Sequence, residues 1–579
     1  MVLTLLTAVH FTLFYLPGLA CAFMISERIR LSKPQFYAVV LASSCFTGYL
    51  AFWAYAGDPI LGRAFSILVI AGSGLYCVVR RKLFWREEGS RFWLPLAAAF
   101  FLTFFYLGLG FLYGGLDQPL ETARVRFSHE MPVDNKLPLI VADLFVNEKP
   151  LSEFMGGRWK TSDRPPLQAG ITLLHSPFFG AYKDLQYQIL GVILQTSVLL
   201  GIWLWIDIFQ SAPVEKAKAI LFVVLSYFLL FNSFYTWPKL LPAGLVLIGY
   251  QLLHTAARPQ DLTDPNFSGA MIGTVFALAM LGHGGTIFAL IGIGLALLAT
   301  RKLPSRRMLI AAGLAGAVLY LPWWGYQQYV DPPGDRLIKM HLGGEYEITT
   351  LSVFETIRAS YARLSPDQIV EMKLLNLEFM LWVGPFTNVR ELVGAYKTGG
   401  MYHVLGVVRT GFFFHLFHTI AIPLLGLSIV PFMMKKWATV RPSQKRAAFD
   451  VAEIKRAFLT GIIGVLTWGL MLFGYPEVQA SVHHGSYFYP IVLMIAPLLV
   501  AGSYSGTWSF ILLLLQGLVF LLWIPLRPSG PDLSPAQEAF FANGFQAGFG
   551  LLALLAFLSL VAILVYSTIP FQTTGGEKC

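Results

Sequence analysis

The residues that could carry chemistry in this chain are few, and they stand in polar stretches between long apolar runs. Two aspartates, Asp134 and Asp163, fall in one such stretch, and Arg164 directly follows the second. A carboxylate near a membrane face can act as a general base, whereas cations can hold an anion such as phosphate. The alternative for either aspartate is a helix cap or an ion pair with a neighbour such as Arg164.

Lys239 is the first candidate for binding an anion, because it follows Trp237 and Pro238 between two apolar runs. A helix that restarts at Pro238 would also point free backbone N–H groups outward, which favours an anion. The alternative is an interfacial lysine that extends its ammonium into water beside an interfacial tryptophan.

Histidines and one tyrosine supply the other candidates. His283 lies in a glycine-rich turn, and His483 and His484 precede Tyr487 in a late polar stretch. Adjacent histidines rarely reach one metal together, and no HxxxH or HExxH pattern accompanies these two. We therefore predict substrate contacts at these four residues and no metal site, with a structural donor as the alternative for His283.

A further group of polar residues, Arg336, Lys339 and His341, follows in a later polar stretch. These side chains could contribute to a substrate site. The favoured interpretation is a solvated loop face, because nothing in their spacing requires them to converge on the other candidates.

Membrane helices must position these residues. The chain of 579 residues is 56% hydrophobic and 13% charged, whereas soluble domains are about 25% charged. Apolar runs of about 20 residues, the length that crosses a bilayer, recur from one end to the other. We predict an all-α polytopic membrane protein with about 15 transmembrane helices. The predicted spans are 4–25, 36–56, 62–79, 92–113, 185–209, 218–234, 239–255, 268–282, 285–300, 308–324, 409–434, 457–474, 487–503, 507–526 and 546–567.

The net charge of +10 does not indicate a nucleic-acid partner. The basic residues cluster in short loops between apolar runs, and with alternating spans these loops share one face, which is the cytoplasmic one. We predict a multi-pass protein of the plasma (inner) membrane with the N-terminus outside and the C-terminus cytoplasmic. The outer face then receives two large extracytoplasmic loops, 114–184 and 325–408, and a late short loop at 475–487.

The first outer loop has an order of features that is also found in a known superfamily. An acid soon after a membrane helix, an amphipathic stretch and a proline-containing turn succeed one another between Val133 and about Leu174. The turn reads Ser162-Asp163-Arg164-Pro165-Pro166-Leu167. This loop resembles the first extracytoplasmic loop of the GT-C membrane glycosyltransferases, with the aminoarabinose–lipid A transferases and the protein O-mannosyltransferases (glycosyltransferase 39-like) as the nearest comparisons. Elsewhere the similarity is one of topology.

The resemblance implies a GT-C-like catalytic core at 92–434, between extra N-terminal transmembrane helices at 1–91 and C-terminal transmembrane helices at 435–579. It implies transfer of a hexose or pentose, with inversion, from a polyprenyl-phosphate donor to a lipid, glycan or protein acceptor at the outer membrane face. Asp134 would be the base, and Asp163 would orient the acceptor or share that role. No cofactor is implied, although a divalent cation stays open as an alternative. Membrane lipids surround the protein.

Two other function classes also stay open. A transporter or flippase would be expected to place its ionisable groups at mid-membrane, whereas here they concentrate in the outer loops. A polysaccharide polymerase or ligase of lipid-linked glycans would share the donor but would be expected to rely on basic loop residues. The sequence contains no P-loop or Rossmann fingerprint that would support nucleotide chemistry.

Overall fold

The computed structural model describes residues 1–81, 90–127, 131–151, 155, 159–209, 212–256, 264–381, 393–400, 403–404, 451–474, 485–523 and 544–569. Within these ranges the chain is helical and contains no strand, only an isolated bridge between Met155 and Trp159. The predicted all-α class is confirmed for this part of the chain. The predicted span 409–434 and the residues His483 and His484 lie outside the described residues.

The described α-helices are numbered in chain order. They are α1 (Val2–Ser26), α2 (Lys33–Gly57), α3 (Pro59–Val79), α4 (Leu94–Gly110), α5 (Pro119–Val125), α6 (Leu137–Val146), α7 (Leu167–His175), α8 (Lys183–Thr196), α9 (Val198–Ile206), α10 (Pro213–Val224), α11 (Tyr227–Phe234), α12 (Leu240–Ala256), α13 (Pro265–Gly282), α14 (Thr286–Ala299), α15 (Arg306–Gly325), α16 (Arg336–Gly343), α17 (Val353–Ala362), α18 (Pro366–Leu381), α19 (Val451–Met471), α20 (Phe488–Tyr504), α21 (Gly506–Trp523) and α22 (Ala547–Thr568).

Eight helices of the described residues are long enough and apolar enough to span a membrane. The pair α10 and α11 adds a ninth if it counts as one span, although a bend of 54° separates its two halves. Five further apolar helices of 10–17 residues coincide with the remaining predicted spans in the described residues. The chain is therefore a helical membrane protein, but the predicted count of about 15 spans is not confirmed.

The bend between α10 and α11 has a local cause. Leu225 ends α10, and the Ser226 side chain accepts a hydrogen bond from the backbone N–H of Leu229, which starts the next helix as an N-cap. A serine in this position satisfies one of the N–H groups that a helix start leaves open. The bundle thus contains a discontinuous helix that is followed by the segment carrying Lys239.

Close helix packing holds the C-terminal part of the predicted outer loop 114–184, called the first outer loop after that prediction, against the N-terminal helices. At the crossing of α2 and α7, a Cβ atom on Gly170 would lie 2.3 Å from the carbonyl oxygen of Gly48. A Cβ on Gly48 would lie 2.3 Å from Cγ1 of Ile171. Glycine at both positions lets the two backbones approach, as small residues do at helix contacts in membranes. Because α7 directly follows Pro166, this crossing fixes the end of the loop that carries Asp163.

A matched pair of Gly→Ala variants tests this crossing. We expect Gly170→Ala to lower the free energy of unfolding by about 1–3 kcal/mol through overpacking. Gly72→Ala, in α3, meets no atom within 4 Å, and it should be neutral or stabilise by up to about 1 kcal/mol through helix propensity. Thermal unfolding of both variants in detergent measures the difference. Equal melting temperatures would show that the α2–α7 contact tolerates a methyl group.

Candidate functional site

Two short turns present the acids of the first outer loop. Asp134 lies in a 3-10 turn, Val133–Lys136, that leads directly into α6. Asp163 ends a second 3-10 turn, Thr161–Asp163, after which Arg164 is extended, at φ −119° and ψ 123°. The extended conformation is what a residue before proline adopts. The proline pair therefore places the second acid at a chain reversal in front of α7, as the sequence predicts.

A cavity of about 560 Å³ collects most of the predicted site residues. Its wall includes Asp134, Asp163, Arg164, Lys239 and His283. These residues come from the first outer loop, from the segment before α12 and from the turn after α13, so the fold brings together positions up to 149 apart in sequence (134 to 283). Apolar and aromatic side chains complete the wall. Among them are Phe52, Leu137, Trp237, Phe288, Trp323 and Ile338.

Each acid in the cavity is paired with an arginine. Oδ1 of Asp134 lies 3.3 Å from Nη2 of Arg164, and Oδ2 of Asp163 lies 3.4 Å from Nη1 of Arg336. The two guanidinium carbons lie 4.4 Å and 5.7 Å from the ring centroid of Trp159, which places both cations near one indole. A cation near an aromatic face is stabilised by the ring quadrupole. The two ion pairs thus form a single cluster around Trp159.

The two acids differ in their surroundings. Burial raises the pKa of Asp163 above its usual value, and the Lys160 N–H, Arg336 and Arg164 oppose that rise. Oδ2 of Asp163 accepts from Lys160 N at 2.9 Å, whereas Oδ1 is buried and accepts no hydrogen bond from the described residues. Asp163 therefore has one engaged oxygen and one buried oxygen that lacks a hydrogen-bond partner among the described residues.

Lys239 is buried, with 3% of its surface exposed. Its Nζ lies 4.0 Å from the ring centroid of Trp237 and 5.2 Å from that of Tyr487. No carboxylate of the described residues lies within ion-pair distance of this ammonium. A buried cation that contacts aromatic faces and has no carboxylate of the described residues within ion-pair distance is a costly arrangement that a bound anion would relieve.

The prediction that a helix starting near Pro238 offers free N–H groups is wrong. The backbone N–H groups of Lys239, Leu240 and Leu241 point to Oε1 of Gln195, at 3.3, 2.9 and 3.4 Å. The side-chain amide of Gln195, on α8, thus takes the place that an anion would occupy. Anion binding at this point depends on the lysine side chain and not on the helix terminus.

The remaining predicted residues are distributed differently. His283 ends α13 and lines the cavity, and its Nδ1 accepts from the N–H of Gly285 at 3.1 Å. Tyr487 does not line the cavity; its hydroxyl donates to Oδ1 of Asn232 at 2.8 Å, and its ring lies beside the Lys239 ammonium. Tyr487 therefore supports Lys239 from behind.

The favoured interpretation of Arg336 and His341 as solvated loop residues is wrong. Arg336 is 9% exposed and pairs with Asp163, and His341 lines the cavity. Burial and the charges of Lys239 and Arg164 lower the pKa of His341 to about 3, so its imidazole is neutral. Lys339 is buried as well, but its ammonium lies 3.0 Å from Asp335 and serves the loop itself.

Sequence reasoning missed Asp331, which connects the two outer loops. Its carboxylate accepts from Thr161 Oγ1 at 2.6 Å and from Ser162 N at 2.9 Å, and it lies 2.9 Å from Nζ of Lys160. The pKa of Asp331 lies below its usual value, because these donors outweigh the effect of burial. A signal was available in the sequence, since Asp331 directly precedes a proline pair and Asp163 stands one residue before another.

Within the described residues, no group of three or more His, Cys, Asp and Glu side chains is arranged to hold a metal ion. Comparison with protein-family profiles, with curated proteins and with solved structures gives no match for this chain. The assignment of a function therefore depends on the geometry of the cavity.

A variant of Asp331 tests whether the second loop holds the first. Asp331→Ala removes the acceptor for three donors of residues 160–162, so we expect faster amide hydrogen exchange across the turn that carries Asp163. Asp367→Ala removes an exposed carboxylate in the first turn of α18 and is the matched control. Mass spectrometry of peptides covering 159–166 reports the exchange. Unchanged exchange in Asp331→Ala would mean that other contacts of the turn, such as the hydrogen bond from Gln327 Nε2 to the Ser162 carbonyl, order it without Asp331.

Proposed function

We propose that this chain is an integral membrane glycosyltransferase that moves a sugar from a polyprenyl-phosphate donor to an envelope acceptor. The observation that carries the proposal is the convergence of two carboxylates and an ammonium without a carboxylate partner on one partly apolar cavity. Displacing a polyprenyl phosphate requires a base for the acceptor hydroxyl and cations for the leaving phosphate. The described cavity contains groups suited to both requirements.

Lys239 is the proposed partner of the leaving phosphate. Its charge has no carboxylate partner among the described residues, so an arriving phosphate would not have to displace an existing ion pair. Arg164 ranks behind Lys239 as a partner of the phosphate, because its guanidinium already contacts Asp134 and Trp159. The neutral imidazole of His341 can donate a hydrogen bond without adding to the positive charge.

Asp163 is the better candidate for the base. The raised pKa of Asp163 and its free Oδ1 suit proton acceptance, whereas Asp134 lies in an ion pair with Arg164. This reverses the preference that loop position alone gives to Asp134. Asp134 then holds Arg164 in place and orients the acceptor.

The topological part of the proposal follows the resemblance to GT-C enzymes. It comprises about 15 spans, a GT-C-like core, an N-terminus outside and a site at the outer face of the plasma membrane. The acceptor is a lipid, a glycan or a protein, and a polymerase or ligase of lipid-linked glycans would use the same donor. A transporter is the alternative outside the enzymes, and the bent pair α10 and α11 is the feature of the described chain that is typical of that class.

Asparagine variants of the two acids test the proposal. Asp163→Asn keeps the size of the side chain but removes the basic oxygen, so we expect glycosyl transfer to fall by about 10²–10⁴-fold. Asp134→Asn should cause a smaller loss, because it acts through Arg164. Product formation and detergent melting are measured on the same preparation. A transporter would move the lipid-linked sugar in every background without forming a glycosidic bond, and full activity of the double variant would sink the two-acid mechanism.

The pH dependence of transfer gives a second test of Asp163. A base acts only when deprotonated, so activity should fall as the pH drops through the raised pKa of Asp163. Arg336→Gln removes a charge that lowers this pKa, so the acidic limb of the profile should move to higher pH. The control is Arg363→Gln, at the end of α17, where no ion pair is present in the described residues. Identical acidic limbs in wild type and Arg336→Gln would exclude Asp163 as the titrating base.

A further inference from the structure

Three buried glutamines surround the unwound segment between α11 and α12. Gln188 and Gln195 lie on α8 and Gln168 lies on α7, and none of them is more than 3% exposed. The α8–α9 span is wholly buried in the bundle. Polar side chains at such positions are expensive and usually serve a purpose.

Each glutamine contacts a different part of that segment or of the helix ends that border it. Nε2 of Gln188 donates to the carbonyl of Phe234 at 2.6 Å, and Nε2 of Gln168 donates to that of Thr236 at 3.1 Å. Gln195 accepts the three N–H groups at the start of α12 through Oε1, and its Nε2 lies 3.4 Å from Oε1 of Gln168. The backbone groups that the broken helix leaves open are thus satisfied by side chains, as an apolar surrounding requires.

The backbone of the segment fits this arrangement. Thr236 has a φ of 58°, a conformation that is uncommon for a residue other than glycine. A Cβ on Gly191 would lie 2.6 Å from Cγ2 of Thr236, so the glycine lets the segment lie directly against α8. Gln188, Gly191 and Gln195 follow at helical spacing and share one face of α8.

The consequence concerns the one lysine of this segment. With its backbone N–H engaged by Gln195, Lys239 has its position along the chain fixed, and only its side chain enters the cavity. The ammonium then lies against Trp237 and Tyr487 with no carboxylate of the described residues to pull it away.

We propose that Gln168, Gln188 and Gln195 are positioning residues that fix the unwound segment 235–239 and thereby hold the Lys239 ammonium where the donor phosphate binds. The proposal rests on the proposed function, since it takes the ligand of Lys239 to be that phosphate. It implies that these three glutamines affect ligand affinity, and that this effect is separate from their effect on stability.

The test uses the full chain in detergent with farnesyl phosphate as the probe and farnesol as the control without phosphate. Wild type should bind the phosphate more tightly than the alcohol, and Lys239→Met should weaken phosphate binding by at least about tenfold. Gln195→Met, which removes the acceptor for the start of α12, should weaken it by a similar factor. In the Lys239→Met background Gln195→Met should have no further effect, because residues that act through one another are not additive.

Gln516→Met is the matched control. Gln516 is 1% exposed and its Nε2 donates to the carbonyl of Leu225 at 3.0 Å, at the break between α10 and α11 and away from the cavity lining. It should lower the melting temperature while leaving phosphate affinity unchanged. Gln188→Met, which loses a single hydrogen bond to Phe234, replaces Gln195→Met if the latter does not fold.

The outcomes separate the two proposals. Wild-type affinity in Gln195→Met, or an equal loss with and without Lys239, would overturn the positioning role and leave the phosphate site standing. Equal binding of farnesyl phosphate and farnesol by wild type would overturn the phosphate site, and with it the proposed function and the positioning role together.

Discussion

Burying charge at one end of an apolar bundle is the constraint on which the rest of this structure depends. An ion taken out of water must be paired and hydrogen-bonded, or it destabilises the fold by several kcal/mol. Asp134 meets this requirement within its own loop, through Arg164. Asp163 and Asp331 also use partners from the other loop, since Asp163 pairs with Arg336 and Asp331 accepts from Thr161. The ion pairs and hydrogen bonds that allow these carboxylates to be buried therefore also connect the two loops beside the cavity.

Lys239 is the exception to this pairing of buried charges. Aromatic rings stabilise its ammonium, but a cation–π contact is worth about 0.5–2 kcal/mol, less than a buried cation loses with its water. Its surroundings are nevertheless ordered, because Gln195 fixes the backbone and Tyr487 is held by Asn232. Ordered surroundings and an ammonium without a carboxylate in ion-pair distance among the described residues favour an anionic ligand.

The sequence predicted the polar residues of the cavity wall better than the contacts that bring them together. Asp134, Asp163, Lys239 and His283 stand out as polar residues in an apolar chain, and the structure brings them to one wall. His341 could not be recognised in the same way, because its loop has the composition of a soluble segment and its burial depends on contacts far away in sequence. Gln195 capping a helix start 45 residues later is equally invisible to local patterns. The span count stays open for a related reason, since short apolar helices satisfy composition but not length.

Opposing influences act on the pKa of Asp163, the base of the proposed mechanism. Burial alone would push its pKa upward until the group stayed protonated and could accept nothing. The Lys160 N–H, Arg336 and Arg164 lower the pKa, so that it stays above its usual value but rises less than burial alone would cause. A base works best when its pKa approaches the working pH, where it is still ionised yet basic. Because Arg336 belongs to the second loop and Lys160 to the first, that balance depends on the contacts between the two loops, among them those of Asp331 with Lys160 and Ser162.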